Sequence, residues 1–380
     1  MKIEKLSEGI DTKRYLKSLG ADSAGIKILS SKMKLHFLRI GDMHVGAANI
    51  LKQDALSIGA DLAVPRGTVT ASQSRVDAIL IANERQLAEL CRKELSQPLG
   101  LKEIAVELKK FIGLYMPDKV KIMGVVNAND DSFYAQSRFM GGEALLAISD
   151  MIEDGADIID IGAVSSRPGS LPVDAGEEMQ RIKPLIDALY AQKFYEKAQF
   201  SIDSYRHDVI SYALERGFGI VNDITGLVDD EVCRAVSSNS ATAVIMHMQG
   251  RPQDMQHKPH YDSVVGDISI FFEERLEKAE RFGIKDTILD VGIGFGKNLE
   301  HNLALIAHLK HFLKFGHPLL VGASRKSMID RIVKTPTEDR LSGTLAIHLK
   351  AAENGAGILR VHDVKEHVQA LKVAQAIQKA

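Results

Sequence analysis

Cysteine is almost absent from this sequence, and so is net charge. Only Cys91 and Cys233 occur among 380 residues, and they form no CxxC pair. That excludes a disulfide framework and a cysteine zinc site, and leaves two reduced structural thiols as the expectation. The net charge is −2, with Lys and Arg scattered among Asp and Glu. Such a surface offers no basic field for nucleic acid and no polybasic membrane patch. No apolar run approaches the ~18 residues of a membrane span. The stretch MKIEKLSEGI lacks the apolar core of a signal peptide. A soluble, cytoplasmic protein is therefore expected, with no nucleic acid and no membrane among its partners. There is no internal repeat, no low-complexity tract, no Gly-x-Ser-x-Gly and no Cys/His pairing for covalent catalysis.

What the chain does have, from Val120 onward, is one pattern repeated. A short apolar, β-branched run leads through a loop into a longer run with helical period. The strand-like runs are VKIMGVVNA (120–128), DIIDIGA (157–163), QFSIDS (199–204), IVNDIT (220–225), TAVIMHM (242–248), TILDVG (287–292), PLLVGAS (318–324) and GILRVHD (357–363). Glycine closes several of the intervening helices, as in EDGAD, ERFGI and AENGAG. Continuous apolar strands alternating with helices argue for a parallel sheet buried on both faces. Eight such units in about 260 residues argue for a closed (β/α)₈ barrel. A doubly wound open sheet is the alternative, but it concentrates its site near one switch point, whereas nearly every strand here ends in a polar residue.

Residues 1–115 read differently. KLHFLRIGDM, DLAVPRG and VDAILIAN look like strands, while ANILKQDALSIGA, ERQLAELCRKELSQ and LKEIAVELKKFIGLY look like helices. The order β-α-β-β-α suggests a small α/β or ferredoxin-like domain. It should be non-catalytic, with isolated polar residues such as Asp42, His44 and Arg66 lying on its surface. Residues 116–380 would form the barrel. The added domain offers apolar area for a subunit interface, and a homodimer is expected.

Barrels of this kind build their sites at the C-terminal strand ends. Those positions hold Asn127, the Ser165–Gly169 loop, Asp203, Asn222 and Asp223, His247, Asp290, Ser324, Arg325 and Lys326, and Arg360, His362 and Asp363. Asp203, Asn222 and Asp290 are rich in acceptors, which suits a planar, donor-rich heterocycle. A buried ion pair with Lys326 is the structural alternative. Arg167, Arg325, Lys326, Arg360 and His362 form a cationic set that suits phosphate oxygens. GIGFG (292–296) lacks the spacing of a dinucleotide loop. His247, His257 and His260 read as solvated loop histidines rather than a zinc cluster.

Taken together, MGVVNANDDSF, SSRPG, MHMQG, GFGKN, SRKS and RVHDV resemble the dihydropteroate synthase family, in its motif order and spacing, from about residue 120 to the end. The resemblance implies synthesis of dihydropteroate from a pterin pyrophosphate and p-aminobenzoate, with Mg²⁺ as cofactor and sensitivity to sulfonamides. It makes Asp203, Asn222, Asp290 and Lys326 the pterin-ring contacts, with Met246 and Phe295 as apolar walls. It makes Asn127, Arg360 and His362 the pyrophosphate binders, and Asn127 also the metal ligand. Asp131 and Phe133 would belong to a first mobile loop, and Ser166, Arg167 and Pro168 to a second. These loops, with Ser324 and Lys326, would frame the p-aminobenzoate site. Arg360, His362, Lys326 and Arg167 would carry the catalysis. The chain departs from the family at Asn129 and Asp130, where Thr and Pro are usual, at Val164 and Ser166, and at Val291 after Asp290. A pterin- or folate-binding methyltransferase module on a similar barrel is the alternative activity. A barrel that has lost catalysis and only binds is the alternative from another class.

Overall fold

A computed structural model describes residues 1–6, 10–127, 140–164 and 173–379. They divide into two compact units, Met1–Tyr115 with Gln375–Ala380, and Met116–Ala374. No helix among the described residues is long and apolar enough to cross a membrane.

The first unit opens with two helices, Thr12–Ser18 and Ser23–Met33, that the hydrophobic pattern did not reveal. Each starts on an aspartate cap: Asp11 accepts from the Arg14 amide at 3.0 Å, and Asp22 from the Ala24 amide at 2.7 Å. Then come β1 (Leu35–His44), helix Val45–Ser57, β2 (Asp61–Ala63), β3 (Arg75–Asn83) and helices Glu84–Glu94 and Leu101–Lys109. The strands form an antiparallel sheet in the order β1-β3-β2. Among the described residues it has three strands, not the four of a ferredoxin-like module. Strand alternation decides its two faces. Val76, Ala78, Leu80 and Ala82 turn inward onto Leu51, Leu87, Leu90 and Leu101, while Asp77 and Ile79 turn outward. His44 accepts from the Gly46 amide and caps the helix that follows β1.

The second unit is the expected (β/α)₈ barrel. Its strands are β4 (Lys121–Asn127), β5 (Ile158–Gly162), β6 (Gln199–Asp203), β7 (Ile220–Asp223), β8 (Thr242–Met246), β9 (Thr287–Asp290), β10 (Leu319–Val321) and β11 (Ala356–Val361). They pair in parallel in chain order, and β11 closes the ring against β4. Seven of them fall within a run read from the sequence, trimmed by a residue or more at most ends, and β11 begins one residue ahead of its run, at Ala356. Met123, Ile158, Ile220, Val244, Ile288, Leu320 and Ile358 pack together as an apolar layer across the barrel interior. Side chains two residues apart on a strand share a face. The next interior layer is therefore Asp160, Asp203, Asn222, Met246, Asp290 and Arg360, at the C-terminal end.

One buried carboxylate lies outside the barrel. Glu94 is fully buried in the first unit, and neither of its oxygens finds a hydrogen-bond partner among the described residues. Burial, with Asp54 nearby, raises its pKa from 4.5 to about 7. The folded state thus holds a proton that the unfolded chain releases. This contribution to stability is complete below pH 4.5 and is lost as pH rises through about 7. Thermal unfolding of the Glu94→Gln variant should not show this loss. Wild type should fall relative to the variant between pH 5 and pH 8, by about 1–3 kcal/mol. Parallel pH profiles would disprove the assignment.

Candidate active site

The polar interior layer is tied together by one arginine. Arg360, from β11, donates from Nε to Asp160 at 2.6 Å and from Nη2 to Asp203 at 2.6 Å. Asn222 Nδ2 donates to the same Asp160 oxygen at 3.0 Å. Four strands, β5, β6, β7 and β11, are thereby cross-linked at one level. The Asp160 side chain is fully buried, that of Asp203 is 12% exposed and that of Arg360 22%. Burial pushes the Asp203 carboxyl upward, against the pull of Arg360. Burial works against the Arg360 charge too, but Asp160 and Asp203 hold its pKa above the ordinary value.

Opposite them stands Asp290, which ends β9 and pairs in register with Met246 of β8. Its Oδ1 accepts from the Gly292 amide at 2.8 Å, yet burial keeps its pKa raised. Two lysines face it. Lys326 donates to the Ile293 carbonyl at 2.8 Å, and its ammonium lies 4.0 Å from the centre of the Phe295 ring. Burial lowers its pKa to about 8. Lys297 is 1% exposed and donates to the Phe295 carbonyl at 2.9 Å, to the His247 carbonyl at 3.3 Å and to His247 Nδ1 at 3.0 Å. Burial lowers its pKa to about 7. Three carboxylates (Asp160, Asp203, Asp290) thus face three cations (Arg360, Lys326, Lys297). The pocket is close to neutral, with hydrogen-bond acceptors around its wall and an aromatic ring at one side.

Beside this pocket lie the ends of β10 and β11. His362 Nδ1 is 2.9 Å from Ser324 Oγ. Arg325, in a left-handed conformation at φ +56°, forks onto both oxygens of Asp363. Its guanidinium is thus committed to a carboxylate on the next strand's loop. Asn127, ending β4 between β11 and β5, completes the rim.

The structure therefore brings Asp203, Asn222, Asp290, Met246, Phe295, Lys326 and Arg360 to one end of the barrel, with Ser324, His362 and Asn127 on its rim. Asp131, Phe133, Ser166, Arg167 and Pro168 lie outside the described residues. The buried ion pair that the sequence suggested for Lys326 is instead made by Arg360. The histidine reading needs correction. His257 and His260 are exposed, but His247 is only 7% exposed. Its ring meets Phe271 edge-on at 4.9 Å, and burial followed by the Lys297 charge lowers its pKa to about 3. Two residues went unnoticed. Asp160 sits inside the apolar run DIIDIGA rather than at its end. Lys297 lies in a loop, where nothing in the sequence marks a lysine as buried.

Residues 123–362 match the model of the pterin binding enzyme family. The chain belongs to that family. It is 41% identical over 263 residues to the dihydropteroate synthase of Escherichia coli, covering 67% of this chain and 90% of that one. It is 42% identical over 366 residues to the bifunctional dihydropteroate synthase/dihydropteroate reductase of Helicobacter pylori, covering 96% of each. Among solved structures, the Yersinia pestis dihydropteroate synthase in complex with a sulfonamide drug superposes with a TM-score of 0.64 at 39% identity. That match covers 69% of this chain and 95% of that one. The Xanthomonas albilineans dihydropteroate synthase with 4-aminobenzoic acid gives 0.64 at 38%, covering 69% and 94%. The pterin-binding family model spans every residue of the polar interior layer.

Removing Arg360 would strand two carboxylates. Arg360→Met should destabilise the ligand-free barrel by about 3–5 kcal/mol, the usual cost of breaking a buried pair from one side. The loss should be larger at pH 8 than at pH 5, because Asp203, already raised by burial, can take up a proton at the lower pH. Equal losses at both pH values would contradict this.

Proposed function

We propose that the chain is a dihydropteroate synthase. It would condense 6-hydroxymethyl-7,8-dihydropterin pyrophosphate with p-aminobenzoate to give 7,8-dihydropteroate and pyrophosphate. The observation that carries this is the charge-balanced acceptor layer, in a barrel matched over that layer to the pterin-binding family. Asp203, Asn222 and Asp290 would accept from the amino-pyrimidinone edge of the pterin. Met246 and Phe295 would cover its faces, and Lys326 would donate to the ring.

In the reaction the amine nitrogen of p-aminobenzoate attacks the exocyclic methylene carbon. The C–O bond breaks, pyrophosphate leaves with the bonding pair, and the amine gives up one proton. The dihydropterin ring can feed electron density to that carbon, so no strong base is needed. The protein's part is to hold both reactants in line and to balance the charge that gathers on the leaving group. Arg360 from the interior layer and His362 from the rim, with Ser324 beside it, would do that. Arg167 and Pro168, with Ser166, Asp131 and Phe133, would close over the second substrate.

Magnesium belongs to the proposal. Among the described residues no group of three His, Cys, Asp or Glu could hold a metal. The amide oxygen of Asn127 suits an ion that arrives on a diphosphate and keeps most of its waters. Asn127 would hold it, and the ion would help neutralise the leaving pyrophosphate.

A second activity has its own support. The Helicobacter pylori relative named as both synthase and reductase aligns over 96% of this chain, so most of the first unit is covered, while the Escherichia coli synthase covers 67%. The first unit would then contribute to reduction of dihydropteroate, in place of the non-catalytic role expected from sequence. A hydride and a proton would add across the C=N bond left in the partly reduced pyrazine ring of the dihydropterin. Full-length protein incubated with dihydropteroate and reduced nicotinamide or reduced flavin should yield tetrahydropteroate. No consumption of either donor would remove this reading.

For the synthase, pyrophosphate release should require both substrates and should stop in excess chelator. Asp290→Asn turns an acceptor into a donor and should weaken pterin binding about 10–100-fold by calorimetry. Sulfonamides should compete with p-aminobenzoate. Normal pterin affinity in the variant, or release of pyrophosphate without p-aminobenzoate, would overturn the assignment.

A further inference from the structure

The loops after β10 and β11 carry the anion half of the site. Ser324 and Lys326 stand on the first, and Arg360 and His362 at the end of the second strand. To grip one diphosphate, the two must keep a fixed spacing. Ser324–His362 and Arg325–Asp363 link them, the second nearer the surface, where the Arg325 side chain is 34% exposed. A third link runs underneath, through His348 of helix Leu341–Glu353 and His367 of helix Val364–Lys379.

Every proton in that link is assigned by its ends. The Ala323 amide donates to His348 Nε2 at 3.0 Å. An amide N–H cannot accept, so Nε2 is bare and the His348 proton sits on Nδ1. His348 Nδ1 is 2.9 Å from His367 Nε2, which must accept. The His367 proton is then on Nδ1, 2.5 Å from the Asp363 carbonyl, which can only accept. Both histidines are 1% exposed. Burial lowers both pKa values, that of His348 to about 3, so the chain stays neutral. Two leucines would fill such space without desolvating two imidazoles. What leucines could not do is join the Ala323 amide to the Asp363 carbonyl through directional bonds.

We propose that His348 and His367 are positioning residues for the diphosphate end of the site. Their hydrogen-bonded chain sets the spacing between the Ser324–Lys326 loop and the Arg360–His362 strand end. This rests on the synthase reading above, since it takes the diphosphate as the ligand held there.

Two substitutions cut only the central bond. His348→Gln keeps an acceptor for the Ala323 amide, and His367→Asn keeps a donor for the Asp363 carbonyl. In each, KM for the pterin pyrophosphate should rise about tenfold, as expected when a binding group is misplaced. KM for p-aminobenzoate should stay within about twofold. Calorimetry should show weaker binding of the pterin pyrophosphate but unchanged binding of the pterin alcohol, which lacks the diphosphate. A merely structural role would weaken both pterins together. That result, or no change in either, overturns the proposal. A wild type that binds the pterin pyrophosphate no better than the alcohol also overturns it. Calorimetry needs no turnover. A wild type that makes no dihydropteroate would therefore sink the synthase reading, while the affinity ratio still judges the histidine chain. Should neither variant fold, ¹⁵N spectra of the wild-type imidazoles decide: His348 and His367 should respond to pyrophosphate and not to the pterin alcohol. Silence there also ends the proposal.

Discussion

The double ion pair of Arg360 with Asp160 and Asp203 is the constraint on which the site depends. A barrel interior is a place for branched apolar side chains, and one layer below it is filled by them. Two carboxylates at the next level would be intolerable alone. One planar guanidinium answers both, reaching Asp160 with Nε and Asp203 with Nη2. Its fork geometry does what a lysine could not, since a point charge cannot bind two separate carboxylates in fixed directions. Asn222 then joins through Asp160, so the acceptors that would face a pterin are held by bonds among themselves before any ligand arrives. Such preorganisation spares the ligand the cost of ordering them.

The same burial that makes these groups costly makes them useful. Asp203 and Asp290 are raised, and Lys297 and Lys326 lowered, all chiefly by desolvation. Each group is pushed toward its neutral form, and each is held back by an opposite neighbour. A pocket balanced in this way presents strong directional acceptors without a large net field. A donor-rich neutral ring fits it, while a bare anion is better placed toward the rim, near His362.

Much of this was legible in the sequence, because the barrel makes strand ends coincide. A polar residue directly after an apolar β-branched run marks the end of a strand. Asp203, Asn222 and Asp290 announce themselves in this way. Asp160 did not, because Ile161, Gly162 and Ala163 follow it and prolong the apolar run past the functional layer. Lys297 and His247 were hidden for another reason. Burial in a loop is decided by which loop lies opposite, and sequence carries no such pairing. Arg325 reads as one more phosphate-seeking cation, but Asp363, thirty-eight positions on, takes both arms of its fork. The two opening helices of the first unit were missed because helices of 7 and 11 residues leave little periodicity to detect.

The loops that follow β8 and β9 show how backbone, not side chain, fixes the pocket wall. At Gly292, in the left-handed region at φ +66°, an added Cβ would lie 1.9 Å from the His247 carbonyl oxygen. At Gly296, at φ +63°, it would lie 2.2 Å from the Gln249 carbonyl oxygen. Only glycine permits so close an approach of the two chains. Between these points Lys297 donates to carbonyls of both loops, those of His247 and Phe295. The Phe295 ring is thereby held under Lys326, and the Gly292 amide is held against Asp290. A loop that resembles a nucleotide cradle in its glycine content is thus glycine-rich for a different cause. It must lie flat against its neighbour so that a lysine no solvent reaches can bind the two together.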